Sequence, residues 1–326
     1  MDIGVMVGGG GLGAVVDAVR EVAEAGVLRA WVPQVFGVEA LTAIAVAGRE
    51  IPGIELGTAV VPTYPRHPLV LAGQALTTSA ALARGTGGVP PTKAAGAAKN
   101  DGNRLHLGIG LSHQLVIEGM LGMAYEKPAV HMREYLSALR PALNRQPVDV
   151  KGETLEAHTL MGPLTVDDAG LVPILVAALG PALLRVTGEL ADGTLTWMAA
   201  PSVIGERIAP QITAAAEAAG RPRPRVGVGL PVAVTDDIDA ALERAAASYA
   251  VYGTLPSYKR LLDEAGLDGP AGVVIAGDED EVARRIRALA DVGATELLAS
   301  PIGSRAVRRE TLRVLGALAR ETAPTS

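Results

Sequence analysis

Eight short apolar runs recur along the chain, each followed by a segment with helical spacing, and this alternation narrows the fold more than any other feature. The runs are 2–7, 30–34, 54–61, one opening at Leu105, 173–178, 194–198, 225–234 and 296–300. Helical periodicity covers 12–26, 39–50, 68–83, 128–144, 180–193, 203–220, 238–252, 257–266, 279–293 and 305–320. Strands alternating with helices imply a parallel sheet with helices on its faces. Eight such units in 326 residues favour closure into a (β/α)8 TIM barrel over an open sheet, with 1–326 read as one domain. Some helix starts are marked: Pro68 occupies a first-turn position, and Asp278-x-x-Glu281 has the logic of a capping box. The stretch 148–168 is less regular and reads as a hairpin or excursion.

A barrel sorts its loops. Residues just after each strand face the active-site end, and residues just before each strand face the end that serves stability. The most informative exit is Leu105-His-Leu-Gly-Ile-Gly-Leu-Ser-His-Gln114. Gly108 and Gly110 lack the side chains that would keep a flat or bulky group from the backbone. Ser112, His113 and Gln114 then offer a hydroxyl, an imidazole and an amide. A second exit, Ala177-Ala178-Leu179-Gly180-Pro181, ends a buried strand at a helix start, where free N–H groups and the helix dipole make an anion seat. The run Gly8-Gly9-Gly10-Gly11-Leu12-Gly13 matches the dinucleotide pattern G-x-G-x-x-G. That pattern requires an acidic residue at the end of the second strand, and this chain has Gln34, so a nicotinamide-binding Rossmann enzyme is the weaker reading. The stretch 84–102 is rich in Gly, Pro, Ala and Lys and has no apolar period. It reads as a long flexible insertion between the third helix and the fourth strand, on the stability face and without a catalytic role.

Composition removes several classes of function. A net charge of −6 and the lack of any basic stretch interleaved with aromatics argue against nucleic acid as a partner. Without cysteine there is no disulfide, thiolate metal site or thiol nucleophile. None of the five histidines has a His or carboxylate neighbour at metal-ligand spacing, so no metal is expected. His106, inside a strand, and His131, inside a helix, read as structural; His67 and His113, at strand exits, are candidates for proton transfer. No nucleophile elbow supports a Ser-His-Asp hydrolase. No apolar run reaches the roughly 18 to 20 residues that span a bilayer, and Met-Asp-Ile-Gly-Val is not a signal-peptide start. The expectation is a cytoplasmic protein that acts on a small organic molecule, without a membrane partner, and that could form a homodimer.

Five stretches, in this order and spacing, resemble the luciferase-like monooxygenase superfamily, and within it the branch that uses the deazaflavin coenzyme F420. They are Trp31-Val-Pro-Gln34, Leu56-Gly-Thr-Ala-Val-Val-Pro-Thr-Tyr-Pro-Arg-His-Pro68, Leu107-Gly-Ile-Gly-Leu-Ser-His-Gln114, Ala177-Ala-Leu-Gly-Pro181 and Ala191-Asp-Gly-Thr194. The resemblance covers nearly the whole chain; the 84–102 stretch looks like an insertion relative to it. It implies a luciferase-type barrel with a non-prolyl cis peptide at Ala59–Val60, forming a bulge that supports the flavin-like ring. It also implies a coenzyme phosphate held by Ser112, His113 and Gln114 and by Ala177, Ala178, Leu179 and Gly180.

Sugar-phosphate dehydrogenases of the branch use a His after strand 2 and a Glu after strand 4. The matching positions here are Val35 and Leu111, which makes that reaction doubtful. Gln34 replaces an acidic residue and could hydrogen-bond the ring edge. The reading is therefore an F420-dependent oxidoreductase that moves a hydride to or from an organic substrate. His113 is the first candidate for the acid–base group and Tyr64 and His67 the next. An FMN-dependent monooxygenase of the same fold and a non-catalytic flavin-binding barrel are the alternatives.

Overall fold

The computed structural model describes residues 1–34, 36–84 and 104–322. The first half of the chain gives β1 (Asp2–Met6), α1 (Leu12–Glu24), β2 (Arg29–Val32), α2 (Ala40–Glu50), β3 (Glu55–Thr58), β4 (Val61–Pro62), α3 (Pro68–Arg84), β5 (Leu105–Gly110), α4 (Gln114–Gly119) and α5 (Pro128–Leu143). A small antiparallel hairpin, β6 (Asp149–Lys151) and β7 (Glu156–His158), follows. Next come β8 (Ile174–Val176), α6 (Pro181–Leu190), β9 (Gly193–Trp197), α7 (Pro201–Val203) and α8 (Ala209–Ala218), the last two joined by a π-helical turn at Ile204–Ile208. The chain ends with β10 (Arg225–Val234), α9 (Ile238–Tyr249), α10 (Pro256–Glu264), β11 (Ile275–Gly277), α11 (Glu279–Asp291), β12 (Glu296–Pro301) and α12 (Arg305–Thr322).

Eight parallel strands close into a barrel in the order β1-β2-β3-β5-β8-β9-β10-β12, with β12 pairing back onto β1. These strands are covered by helices outside and by one another's side chains inside. That is why they read in the sequence as nearly unbroken apolar runs rather than as alternating ones. β2 and β5 are buried at every position. With so few aromatics, the packing is carried by Val, Leu, Ile and Ala.

Two local features depart from the sequence reading. The third run is not one strand: β3 stops at Thr58, the Ala59–Val60 peptide bond is cis, and pairing with β5 resumes at Val61 opposite Ile109. Across the gap, Thr58 Oγ1 donates to the Gly108 carbonyl at 2.7 Å and accepts from the Gly108 N–H at 2.9 Å, so a side chain replaces the missing ladder. A short strand, β11, adds to β10 outside the barrel, where only helical pieces were expected. Its three residues are too few to give a period. The stretch 148–168 does contain a hairpin, at β6 and β7.

The lower end of the barrel is held by ions. Glu296, buried, accepts from Arg29 at 2.6 Å, from Arg225 at 2.5 Å and from the Trp31 indole at 3.2 Å. Glu55 is bound by Arg29 and by His106 Nε2, while Arg225 donates to His106 Nδ1 at 3.0 Å. An arginine can only donate, so Nδ1 accepts and the imidazole is neutral with its proton on Nε2. Burial pushes the His106 pKa down in agreement. Burial opposes ionisation of Glu55, but the His106 hydrogen bond and the Arg29 charge outweigh it and hold the carboxyl at about 2. Arg104 donates to the carbonyls of Gly48, Ile51, Ile54 and Leu82, and so fixes the start of β5 at this same end. The proposed insertion, apart from Arg84, and Val35 lie outside the described residues. No described helix is long and apolar enough to cross a membrane.

Candidate active site

At the opposite end of the barrel, a cavity of about 440 Å³ opens among the strand exits. Part of its wall is Ala59, Val60, Gly110 and Ala177. A Cβ on Gly110 would lie 2.7 Å from Val60 Cγ2 and 3.2 Å from Ala177 Cβ. Glycine is therefore what lets the cis bulge of one strand meet the exit of another. Gly108 has a different job. A Cβ there would run into the Thr58 carbonyl oxygen and lie 2.8 Å from Leu195 Cδ1, and Gly108 does not line the cavity. Its missing side chain admits a neighbouring strand, not a ligand.

Beyond Gly110 the chain turns sharply. Ser112 has φ of 61°, in the left-handed region that non-glycine residues occupy only when their surroundings hold them there. Met198, just past β9, is held similarly with φ of 57°. The turn at Ser112 places Ser112 and His113 on the cavity, with His113 as the N-cap residue of α4. His113 is half-buried and burial lowers its pKa, so the ring is neutral near neutral pH and can accept a proton. Across the cavity, Gly180 precedes Pro181 at the start of α6. No side chain caps that helix, and nothing lies within 4 Å of where a Gly180 Cβ would be. The open helix start and the Ser112 hydroxyl share one cavity, a donor set that suits an anionic group.

Of the residues singled out from sequence, the structure gathers Ala59, Val60, Ser112, His113, Ala177, Leu179 and Gly180 around this cavity. The others face elsewhere. Gln34 Oε1 accepts from the Ala40 N–H at 2.7 Å and is committed to the start of α2. Gln114 is exposed and donates to Glu118 at 2.9 Å, one helical turn on. Ala178 is fully buried behind the cavity wall. Tyr64 and His67 line a second cavity with His131, separated from His113. There the Tyr64 hydroxyl donates to the Glu126 carbonyl at 2.9 Å, and burial raises its pKa to about 12. His67 Nδ1 accepts from the Leu69 N–H at 3.3 Å, so Nε2 donates to the Glu156 carbonyl at 2.8 Å. Tyr64 stacks on His131 with ring centres 4.1 Å apart. Both Tyr64 and His67 are committed to backbone carbonyls, and the Tyr64 ring lies 5.1 Å from that of Tyr125, which lines the barrel-mouth cavity.

Sequence reasoning missed the aromatic side of the cavity. Tyr125, Trp197, Tyr249, Tyr252 and Tyr258 all line it. Trp197 meets Tyr249 edge-on at 5.7 Å, and Tyr252 meets Tyr258 at 4.8 Å. The signal was available: three tyrosines fall within residues 249–258, after a barrel strand, in a chain that is 3% aromatic.

The description "luciferase-like monooxygenase" belongs to a family model that matches residues 1–82 and 93–296. The chain belongs to that family. It is accordingly an enzyme, an oxidoreductase on a luciferase-type barrel. Among relatives, a 5,10-methylenetetrahydromethanopterin reductase of Methanolobus tindarius is 29% identical over 244 residues, 66% of this chain and 73% of the relative. A coenzyme F420-dependent tetrahydromethanopterin reductase of Methanopyrus kandleri superposes with a TM-score of 0.79 over 99% of both chains, at 20% identity. An F420-dependent secondary alcohol dehydrogenase, solved with an F420–acetone adduct, gives 0.75 over 97% of each chain at 18% identity. At these identities the two solved structures speak for the fold.

Proposed function

We propose that this family member is an F420-dependent oxidoreductase that transfers a hydride to or from a small organic substrate in the barrel-mouth cavity. The observation that carries the reading is the meeting, in one cavity, of the Ala59–Val60 bulge, the Ser112 hydroxyl and the uncapped, open start of α6 at Gly180. The relatives described above, two of them named as F420-dependent, support the choice of coenzyme. Ser112 and the backbone at Gly180 would hold the phosphate, and Ala59, Val60 and Gly110 would face the ring. When bound, the deazaflavin supplies a hydride donor or acceptor and has little tendency to activate oxygen. The chain's own contribution is orientation, exclusion of water and proton handling.

Val60 and Leu111 give the reacting region an apolar boundary. His113 is the one imidazole on the described wall, and no carboxylate accompanies it. As a neutral base it takes the hydroxyl proton when an alcohol is oxidised, and returns it in the reverse direction. The test is an equilibrium titration of the purified protein with F420 and with FMN. Micromolar or tighter F420 binding, with FMN weaker, is expected; FMN binding of equal or greater affinity overturns the assignment and favours a flavin monooxygenase.

A further inference from the structure

The chain holds two Trp, six Tyr and one Phe, and five of these nine aromatic residues line the one cavity at the barrel mouth. Chance does not concentrate a scarce residue type in this way. Packing alone does not account for it, because Trp197, Tyr249, Tyr252 and Tyr258 are only partly buried. Their rings meet one another at edge-on or tilted angles, and His113 lies 5.9 Å from Tyr258. Among the described residues, no Asp, Glu, Lys or Arg lines the cavity. Burial raises the Tyr252 and Tyr258 pKa values, so the phenols carry no charge near neutral pH. The Nε1–H of Trp197 is buried and directed at the Tyr252 side chain, not at the open cavity.

We infer that Trp197, Tyr249, Tyr252 and Tyr258 form the substrate subsite, and that it takes an uncharged molecule with an apolar ring and one carbonyl or hydroxyl oxygen. The inference rests on the proposed reading of the site as a hydride-transfer centre. An ion placed against these four rings would lose its hydration with no opposite charge beside them to receive it. An aromatic cage can also attract a cation, but that cation would find no carboxylate here. The neutral phenols of Tyr252 and Tyr258 on the wall can instead donate to an acceptor, which a ketone or alcohol oxygen supplies. In the oxidative direction a ring alcohol loses a hydride from its carbinol carbon to the oxidised coenzyme and its hydroxyl proton to His113, leaving the ketone. The reverse reaction consumes the reduced coenzyme and that proton.

The experiment uses the full chain in saturating inorganic phosphate, which occupies the anion seat proposed at Ser112 and Gly180, and three ring-matched probes: cyclooctanone, cyclooctanecarboxylate and cyclooctylammonium. Ligand-observed NMR gives their affinities. Tryptophan fluorescence reports on Trp197, because the other indole, Trp31, is wholly buried and bound to Glu296. Cyclooctanone is expected to bind about 10-fold or more tighter than either ion and to perturb the fluorescence. Tyr252→Phe, which keeps a ring but removes a donor, and Trp197→Ala should each weaken cyclooctanone about 10-fold, with F420 affinity held within a few-fold. Stronger binding of either ion, no cyclooctanone binding at about 10 mM, or unchanged affinity in both variants overturns the inference. Failure of F420 to bind while cyclooctanone selectivity persists overturns the coenzyme assignment and leaves the subsite standing.

Discussion

Replacing Gly108 by alanine should destabilise the barrel and leave the coenzyme site intact, whereas replacing Gly180 by alanine should do the reverse. The Gly108 Cβ would collide with the Thr58 carbonyl oxygen, backbone on a neighbouring strand, and lie 2.8 Å from Leu195 Cδ1. The carbonyl cannot withdraw easily, because Thr58 is itself pinned by its two hydrogen bonds to Gly108. Overpacking of this kind costs about 1–3 kcal/mol, and a backbone obstacle argues for the upper end. With an m-value of about 3 kcal/mol per M urea, a loss of about 3 kcal/mol lowers the unfolding midpoint by about 1 M. At Gly180 the φ of −97° suits any residue and the Cβ meets nothing within 4 Å, so only the poorer N-cap counts, about 1 kcal/mol or less. That methyl would, however, stand in the anion seat, and a steric block of one close contact weakens F420 by about 10-fold or more. Urea unfolding and an F420 titration on both variants complete the test. An unchanged midpoint for Gly108→Ala refutes the strand-contact argument, and an unchanged F420 affinity for Gly180→Ala refutes the seat.

Four further outcomes follow from the same geometry. His113→Ala should lower turnover by about 10²-fold at saturating coenzyme with coenzyme affinity little changed, since the ring makes no capping bond to α4; equal turnover removes His113 from proton transfer. Glu296→Leu would leave Arg29 and Arg225 without their shared carboxylate and should cost about 3–5 kcal/mol in denaturant unfolding, and a neutral result would contradict the role given to the ion cluster. Burial holds His131 at about 4, so between an unfolded-state pKa near 6.5 and about 4 the unfolded chain binds a proton that the native chain does not, and stability falls as the pH drops through that window. His131→Phe should flatten this slope, and an identical pH dependence of stability would exclude His131 as its source. Deleting most of residues 84–102 should leave F420 affinity within a few-fold, because Arg104 anchors the following strand at the end of the barrel away from the cavity; lost binding in a folded deletion protein would contradict this.

The eight barrel strands were legible because strands buried on both faces announce themselves as apolar runs, and β2 and β5 are buried throughout. The break between β3 and β4 could not be derived from period or propensity, since the sequence stays apolar through Ala59 and Val60. Its position came from family resemblance. At the site, backbone-driven features were readable: glycine and proline at an exit mark an open helix start, as at Gly180–Pro181. Side-chain direction was not. Gln34, Tyr64 and His67 all leave strands at the correct end, yet each turns to a backbone partner, for Tyr64 and His67 one far along the chain. The two glycines of Gly108-Ile-Gly110 look alike in sequence, but only Gly110 reaches the cavity. The cluster Tyr249, Tyr252 and Tyr258 was within reach of a local window, but its union with Trp197, more than fifty positions earlier, was not.

We expect the coenzyme at the exits of β5 and β8, inside the barrel mouth. Hydrogen–deuterium exchange of the purified protein, with and without saturating F420, measures this directly. Protection is predicted in peptides covering 108–117 and 177–186, with the glycine run 8–13 unchanged. Protection confined to 8–13, with both exits exchanging as in the free protein, would contradict it.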